Sequence, residues 1–362
     1  MKYLLFFSLL GFIFSAPNQQ KQVEFEADQL SASSGTSMET LVMTKHKKQK
    51  MGILTDTTAV IPPYLKQGDT IALVAPAGIL KNRKAVIDKA VKLANSWGLE
   101  VQLGKHLFDQ GNHFAGTDEA RAQDFQAALD NPNIKAIWCA RGGYGSVRIL
   151  DLLDYSTFKK HPKWIIGYSD ITAFHNHIHN MDIASLHAMM GTSLQDAPET
   201  IQETIQSCKD ALFGNSISYQ IPSSPYNRTG TAQGVLVGGN IAILASMLGS
   251  SSQLDTEGKI LFIEEIGEYK YAIDRMLQSL KRAGYFKGLK AVVVGGMTKI
   301  KKNSTPWGSR IERLILEVVP ADVPVLFDFP AGHDKDNRAL YFGKRMSLTV
   351  AASGELSTLK FE

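Results

Sequence analysis

The sequence is poor in cysteine, with only Cys139 and Cys208 among 362 residues. Cys139 lies inside an apolar run, which favours a buried free thiol over a disulfide or a metal ligand. No cysteine or histidine spacing typical of a zinc site is present. The formal net charge is only +4, and lysines are scattered except at 45–50. These absences argue against a metal centre and against a nucleic-acid-binding groove, and we expect no nucleic acid partner.

Long hydrophobic runs are also scarce, and the clearest one is at the start of the chain. An apolar run over 3–14 follows a lysine and precedes small residues, which predicts a signal peptide at 1–16, either cleaved after Ser15 or Ala16 or kept as an anchor. The run is short for a membrane span, so membrane contact is expected only transiently, through this segment. Residues 17–60 are polar and are interpreted as a flexible tail. Periplasmic or exported protein is expected; if Met51 is the true start, the protein is cytoplasmic.

The rest of the chain alternates between strand and helix patterns, which predicts parallel sheets with helices on both faces. Three predicted strands end in loops at 76–78, 141–145 and 167–170. Functional groups of such sheets gather at the carboxyl ends of the strands, so these loops are expected to meet at one edge. We divide the chain into a nucleophile domain at 61–195, a connector at 196–230 and a second domain at 231–362.

The segment 163–174 contains the most informative local pattern. An apolar run ends in Gly-Tyr-Ser-Asp, and a helical pattern begins at once. A serine at such a turn exposes its hydroxyl beside backbone N–H groups, as a nucleophile requires. The related G-x-S-x-G motif is absent. The local sequence leaves two roles open: Ser169 is a nucleophile, or Ser169 or Asp170 caps the helix.

A serine nucleophile needs a histidine base and usually a carboxylate that orients it. His333 is the best of nine histidines, because it lies in a glycine-containing loop just after a predicted strand. Glu264 ends an apolar run and is expected to be buried at a strand end, although an exposed strand terminus is the alternative. Chemistry alone does not separate Glu264 from Glu265 or Glu268. The remaining candidates are interpreted as surface or core histidines, with His187 also able to line a site; they are His175, His177, His179 and His187.

Several blocks, taken together and in order, resemble the signature of the LD-carboxypeptidases, a serine peptidase family that also includes the microcin C immunity proteins. The resemblance spans roughly 61–348. Its blocks are Arg141-Gly142-Gly143-Tyr144-Gly145, Gly167-Tyr168-Ser169-Asp170-Ile171-Thr172, Gly238-Gly239-Asn240, Glu264-Glu265-Ile266-Gly267-Glu268 and Gly332-His333.

The resemblance implies roles for particular residues. Ser169, Glu264 and His333 match the family's Ser-Glu-His triad. Asp170 and Gly143 are expected to supply the backbone N–H groups of an oxyanion hole. Arg141 and Asn240 are expected to bind substrate, although a structural ion pair is an alternative role for Arg141.

The resemblance also implies an architecture and a reaction. The fold is expected to be a flavodoxin-like α/β domain plus a smaller α/β domain, with the active site in the cleft between them. A homodimer and the absence of any metal or organic cofactor are expected. The implied reaction is the release of D-alanine from a murein tetrapeptide in peptidoglycan recycling. The alternatives are a microcin C immunity-type hydrolase of aminoacyl-nucleotide amides and a non-catalytic module that binds muropeptides.

Overall fold

The computed structural model describes residues 59–362. The predicted signal segment, 1–16, and all but the last two residues of the predicted tail therefore lie outside the described residues. Within 59–362, no helix combines the length and the apolar character needed to cross a membrane.

Strands and helices alternate through most of the described chain. The strands are β1 (Thr70–Val74), β2 (Glu100–Leu103), β3 (Ile134–Cys139), β4 (Trp164–Gly167), β5 (Ser185–His187), β6 (Ser218–Pro222), β7 (Gly230–Asn240), β8 (Ile260–Ile266), β9 (Ala291–Thr298), β10 (Val325–Leu326), β11 (Leu340–Phe342), β12 (Arg345–Val350) and β13 (Leu356–Phe361). The α-helices are α1 (Lys84–Ser96), α2 (Asp118–Asp130), α3 (Ser146–Ile149), α4 (Ser156–Lys160), α5 (Thr172–His179), α6 (Gln202–Phe213), α7 (Ile241–Ser246), α8 (Lys270–Arg282) and α9 (Ile311–Val318).

The first sheet has the strand order β11-β5-β4-β3-β1-β2. Strands β1 to β5 are parallel, and their order corresponds to the flavodoxin-like arrangement 2-1-3-4-5. Alternate residues of β3 enter separate apolar clusters, with Trp138 on one face and Cys139 on the other. Both faces are therefore covered, as parallel sheets require. The flavodoxin-like first domain is confirmed.

The second sheet is mixed, with the order β10-β9-β8-β7-β12-β13-β6. Its β10, β9, β8 and β7 are parallel, whereas β12, β13 and β6 pair antiparallel. The expectation of parallel sheets therefore holds for only part of this domain. The connection between β12 and β13 spans only residues 351–355, too short for a parallel crossover but long enough for a hairpin.

The chain crosses between the two sheets more often than the sequence predicts. The connector at 196–230 contains α6 and β6, and β6 forms an edge of the second sheet. Strand β11, from within 231–362, pairs antiparallel with β5 of the first sheet. The domain boundaries given above stay a prediction. Strands β6 and β11 nevertheless show that each sheet does not consist only of strands from one predicted domain.

Candidate active site

The turn that carries Ser169 has a strained backbone. Ser169 follows β4 and has φ +64°, in the left-handed region that non-glycine residues seldom occupy. Gly167 permits the tight turn, because a Cβ there would lie 2.7 Å from Cγ1 of Ile171. A strained serine between a strand and a helix is the geometry that exposes a nucleophile. Ser169 does not cap α5, because the N-cap position of this helix is Ile171 and the Ser169 hydroxyl is hydrogen-bonded to His333 instead.

Ser169, His333 and Glu264 form one continuous chain of hydrogen bonds. His333 Nε2 lies 2.9 Å from Ser169 Oγ, and His333 Nδ1 lies 2.7 Å from Glu264 Oε2. A carboxylate only accepts, so Nδ1–H donates to Glu264 and Nε2 accepts from the Ser169 hydroxyl. Glu264 is fully buried, whereas the His333 side chain keeps 13% of its exposure. The arrangement can remove a proton from serine and hold the resulting imidazolium beside a buried anion.

Two features of the second domain bring His333 to Glu264. Strand β9 carries one extra residue opposite the end of β8, and there Gly296 N–H donates to the Ala331 carbonyl at 2.9 Å. Gly332 has φ +118°, and a Cβ on it would lie 2.9 Å from Glu264 Oε2. A glycine before His333 therefore allows this loop to approach the buried carboxylate.

Glu265 points away from the hydrogen-bonded chain because successive strand residues face opposite sides. Its carboxylate accepts from Asn240 Nδ2 at 3.1 Å and from Ala242 N–H at 2.8 Å. Burial raises the pKa of Glu265 to about 7. Asn240, expected to bind substrate, also caps α7 by accepting from Ile243 N–H, and it lies outside the residues that line the cavity. Strand alternation thus separates Glu264 from Glu265, which residue chemistry alone did not do.

Of the two expected oxyanion-hole residues, Asp170 directly follows the serine, and Gly143 belongs to the loop that packs against it. The neighbouring Gly142 packs so closely that a Cβ on it would lie 3.1 Å from Ser169 Cβ and 3.4 Å from Asp170 N. Within 59–362, no protein acceptor takes a hydrogen bond from the backbone N–H of Gly143 or Asp170. The Asp170 side chain has a separate, structural role, because its buried carboxylate accepts from Ser146 N–H at 2.8 Å. Burial raises the pKa of this carboxyl group.

A cavity of about 1220 Å³ lies between the two domains and contains the serine and the histidine. Arg141 lines it, and the Arg141 guanidinium donates to the Ile79 carbonyl. Among residues 59–362, Arg141 forms no ion pair, so the alternative structural role is not observed. The predicted meeting of the strand-end loops is confirmed, because Gly78 N–H donates to the Gly142 carbonyl at 3.0 Å.

Two residues that support the His333 loop were not among the sequence-based candidates. Asn337 is buried, and its Oδ1 accepts from Gly332 N–H at 2.9 Å. Thr204 of α6 accepts from Asn337 N–H at 2.7 Å and donates to the Lys335 carbonyl at 3.2 Å. The sequence of the predicted connector at 196–230 did not indicate this contact, because Thr204 and Asn337 are more than a hundred positions apart.

The other histidines and the cysteines stand apart from this chain of hydrogen bonds. His175 is buried, with its ring nitrogens 2.8 Å from Ser185 Oγ and 2.9 Å from the Gly167 carbonyl, so it supports the sheet. His187 is fully buried and does not line the cavity. Cys139 is a buried free thiol, as expected, and Cys208 is another.

Two family models match the chain. The LD-carboxypeptidase N-terminal domain matches residues 71–188, and the LD-carboxypeptidase C-terminal domain matches residues 233–348. A probable murein peptide carboxypeptidase of Bacillus subtilis (strain 168) is 34% identical over 294 residues, covering 80% of this chain and 92% of its own. The fold and site are those of a peptidase, and the chain belongs to the LD-carboxypeptidase family.

Solved structures agree with this assignment. The crystal structure of muramoyltetrapeptide carboxypeptidase from Oxalobacter formigenes has a TM-score of 0.72 and 28% identity, covering 81% of this chain and 98% of its own. The MccF-like protein from Bacillus anthracis str. Ames has a TM-score of 0.73 and 25% identity, covering 84% of this chain and 100% of its own. The chain is therefore similar to both branches of the family that its sequence resembles.

Proposed function

We propose that this protein is a serine LD-carboxypeptidase that hydrolyses the terminal L,D amide bond of murein tetrapeptides and releases D-alanine. The observation that carries the proposal is the chain of hydrogen bonds from Ser169 Oγ through His333 to Glu264 Oε2, at 2.9 and 2.7 Å. It opens onto a cavity large enough for a peptide.

In the proposed mechanism, His333 Nε2 takes the proton of Ser169 as Oγ attacks the carbonyl carbon. Glu264 stabilises the imidazolium and fixes the ring orientation. The backbone N–H groups of Gly143 and Asp170, which lack protein acceptors within 59–362, hold the developing oxyanion. His333 then protonates the departing amine of D-alanine. Water, activated by the same histidine, hydrolyses the acyl-enzyme and regenerates Ser169.

The test is mass spectrometry of protein beginning at residue 59, incubated with murein tetrapeptide. We expect loss of one D-alanine with wild-type protein and no loss with Ser169→Ala. A matched control is Ser309→Ala, because Ser309 lies outside the residues that line the cavity. Intact tetrapeptide after incubation with folded wild-type protein would contradict the murein assignment.

A microcin C immunity-type hydrolase is the second candidate, and similarity to the MccF-like protein favours it. An aromatic ring able to stack on adenine would strengthen it. Two tryptophans are candidates for that role: Trp164 is buried in the core, and the partly exposed Trp307 does not line the cavity. Neither tryptophan therefore supports this second candidate. An aminoacyl-nucleotide amide is the next substrate to assay if the tetrapeptide stays intact.

A non-catalytic muropeptide-binding module is the remaining alternative, and binding without turnover by wild-type protein would support it. The homodimer and the export of the protein are also retained as proposals. Light scattering of the purified protein tests the first, and fractionation of cells that express the full chain tests the second. A monomeric mass or a purely cytoplasmic signal would contradict them.

A further inference from the structure

Two arginines stand together on one wall of the cavity. Arg83 and Arg141 both line it, and both are tied to one short loop. The Arg141 guanidinium donates to the Ile79 carbonyl, and Arg83 N–H donates to the Leu80 carbonyl at 3.0 Å. The Arg141 guanidinium also packs against Gly78, where a Cβ would lie 3.4 Å from its Cζ. The loop therefore holds the Arg141 guanidinium in place through the Ile79 carbonyl, and the Arg83 side chain adds a second positive charge to the same cavity.

These charges have no carboxylate partner within the part of the chain that the structure describes. Neither Arg83 nor Arg141 forms an ion pair there. Asp196 lines the same cavity without pairing with either arginine. Burial lowers the pKa of Arg141, and the nearby Arg83 charge lowers it further. Two neighbouring, partly desolvated guanidinium groups repel each other, so an anion bound between them would remove an unfavourable interaction.

We infer that Arg83 and Arg141 together bind the terminal carboxylate of the substrate, which is the carboxylate of the departing D-alanine. The inference rests on the proposed function and deepens it. It adds Arg83 as a second specificity-determining residue and explains why hydrolysis is confined to the last residue of a peptide. A longer or amidated peptide has no carboxylate at this place.

The position of the arginines relative to the serine favours the terminal carboxylate. Arg141 is two residues before Gly143, a proposed oxyanion donor, so both belong to the loop that packs on Ser169. In the departing D-alanine, a single carbon separates the scissile nitrogen from the carboxylate. The second domain lines the cavity with side chains of both signs, acidic at Asp328 and Asp334 and basic at Lys299 and Lys335. Arg141, in contrast, belongs to the loop that packs on Ser169, so the wall that carries the arginines is the favourable place for the carboxylate next to the scissile bond.

The experiment is calorimetric titration of Ser169→Ala protein with a murein tetrapeptide as the free acid and as its C-terminal carboxamide. Charge-assisted hydrogen bonds to a carboxylate predict about 10- to 100-fold tighter binding of the free acid. Arg83→Gln, placed on the same background, should remove most of this difference. Arg141→Lys keeps the charge but loses the forked geometry, and it should reduce the difference in part. Arg282→Gln, an exposed residue of α8 outside the cavity, is the matched control and should preserve it.

The binding data and the D-alanine assay together distinguish failure of the arginine site from failure of the proposed function. Equal affinity for acid and amide, with D-alanine released by wild-type protein, overturns the inference and leaves the proposed function standing. An equal loss of affinity for both peptides in Arg83→Gln also overturns it, because the arginine would then bind a different group, such as a side-chain carboxylate. No binding of either peptide, together with no D-alanine release, overturns the proposed function and the inference with it.

Discussion

The serine side and the acid–base side of the site are built in different ways. The serine turn is local: residues 167–172 contain the strand end, the strained Ser169 and the first residue of α5. The acid–base side is assembled at long range, with Glu264 and His333 separated by 69 residues and carried by a strand end and a loop. The turn that carries the serine is therefore built from a few neighbouring residues, whereas the position of its base depends on how distant elements pack.

The two sides share one device, a glycine that admits a close neighbour. Gly142 lies against Ser169, and Gly332 lies against Glu264. They differ in what surrounds the functional group. On the serine side, the backbone N–H groups of Gly143 and Asp170 lack protein acceptors within 59–362, while the His333 loop is held by a hydrogen bond to Asn337. The serine side thus offers free hydrogen-bond donors, whereas the position of His333 depends on hydrogen bonds between its loop and other parts of the chain.

The largest expected effect comes from breaking either side completely. Ser169→Ala and His333→Ala should each lower the rate of D-alanine release by about 10⁴- to 10⁶-fold, because the groups act as a unit. The double variant should lose little more than either single variant. The measurement is kcat with murein tetrapeptide, and unchanged circular dichroism would show that the fold is retained. Additive losses would contradict a single catalytic unit.

A glycine substitution sharpens the comparison on the acid–base side. Gly332→Ala places a Cβ 2.9 Å from Glu264 Oε2 and forces a side chain to accept φ +118°. Displacement of His333 should lower kcat by about 10²-fold, and backbone strain should cost about 1–3 kcal/mol of stability. Gly354→Ala is the matched control, since Gly354 also has positive φ but a Cβ there has nothing within 4 Å. Equal effects of the two on kcat would show that contact with Glu264 does not matter.

Glu265 gives the acid–base side a pH-dependent stability. Its pKa rises from 4.5 to about 7 on folding because it is buried, so the folded protein keeps this proton to higher pH than the unfolded chain. The protonated Glu265 carboxyl group therefore makes its full contribution to the free energy of unfolding below pH 4.5. This contribution is lost as the pH rises through about 7, which lowers the free energy of unfolding by about 3 kcal/mol. Urea unfolding at several pH values should show this decline in wild type and a smaller one in Glu265→Gln. Parallel pH profiles would contradict the assignment.

The smallest effect is expected from the brace on the His333 loop. Thr204→Val removes the hydroxyl that accepts from Asn337 N–H and donates to Lys335. An unsatisfied buried N–H should reduce the free energy of unfolding by about 1–2 kcal/mol, with a modest fall in kcat. Thr200→Val is the control, because the Thr200 hydroxyl bonds only to the exposed Ala197 carbonyl. An unchanged kcat together with an unchanged free energy of unfolding would show that the His333 loop keeps its position without the Thr204 hydroxyl.

Much of the fold could be predicted because its signals are local. The predicted strand that ends in the loop at 76–78 is β1, and Thr117 caps α2 by accepting from Ala120 N–H at 3.2 Å. The family resemblance pointed to Ser169, Glu264 and His333, and the structure brings these side chains together. Their catalytic roles stay proposals. Residues such as Thr204 could not be found, because their contacts join segments with no common pattern.

The sequence alone determined where strands end and helices begin, because hydrophobic period, glycine and helix caps act within a few residues. It also placed Ser169 at a turn between a strand and a helix, with the roles of nucleophile and helix cap both open. Only the tertiary structure decided that Glu265 accepts from Asn240 and Ala242, that α6 supports the histidine loop and that β11 pairs with β5. Each of these depends on strand register and on contacts between distant parts of the chain, which are fixed only when the two sheets pack.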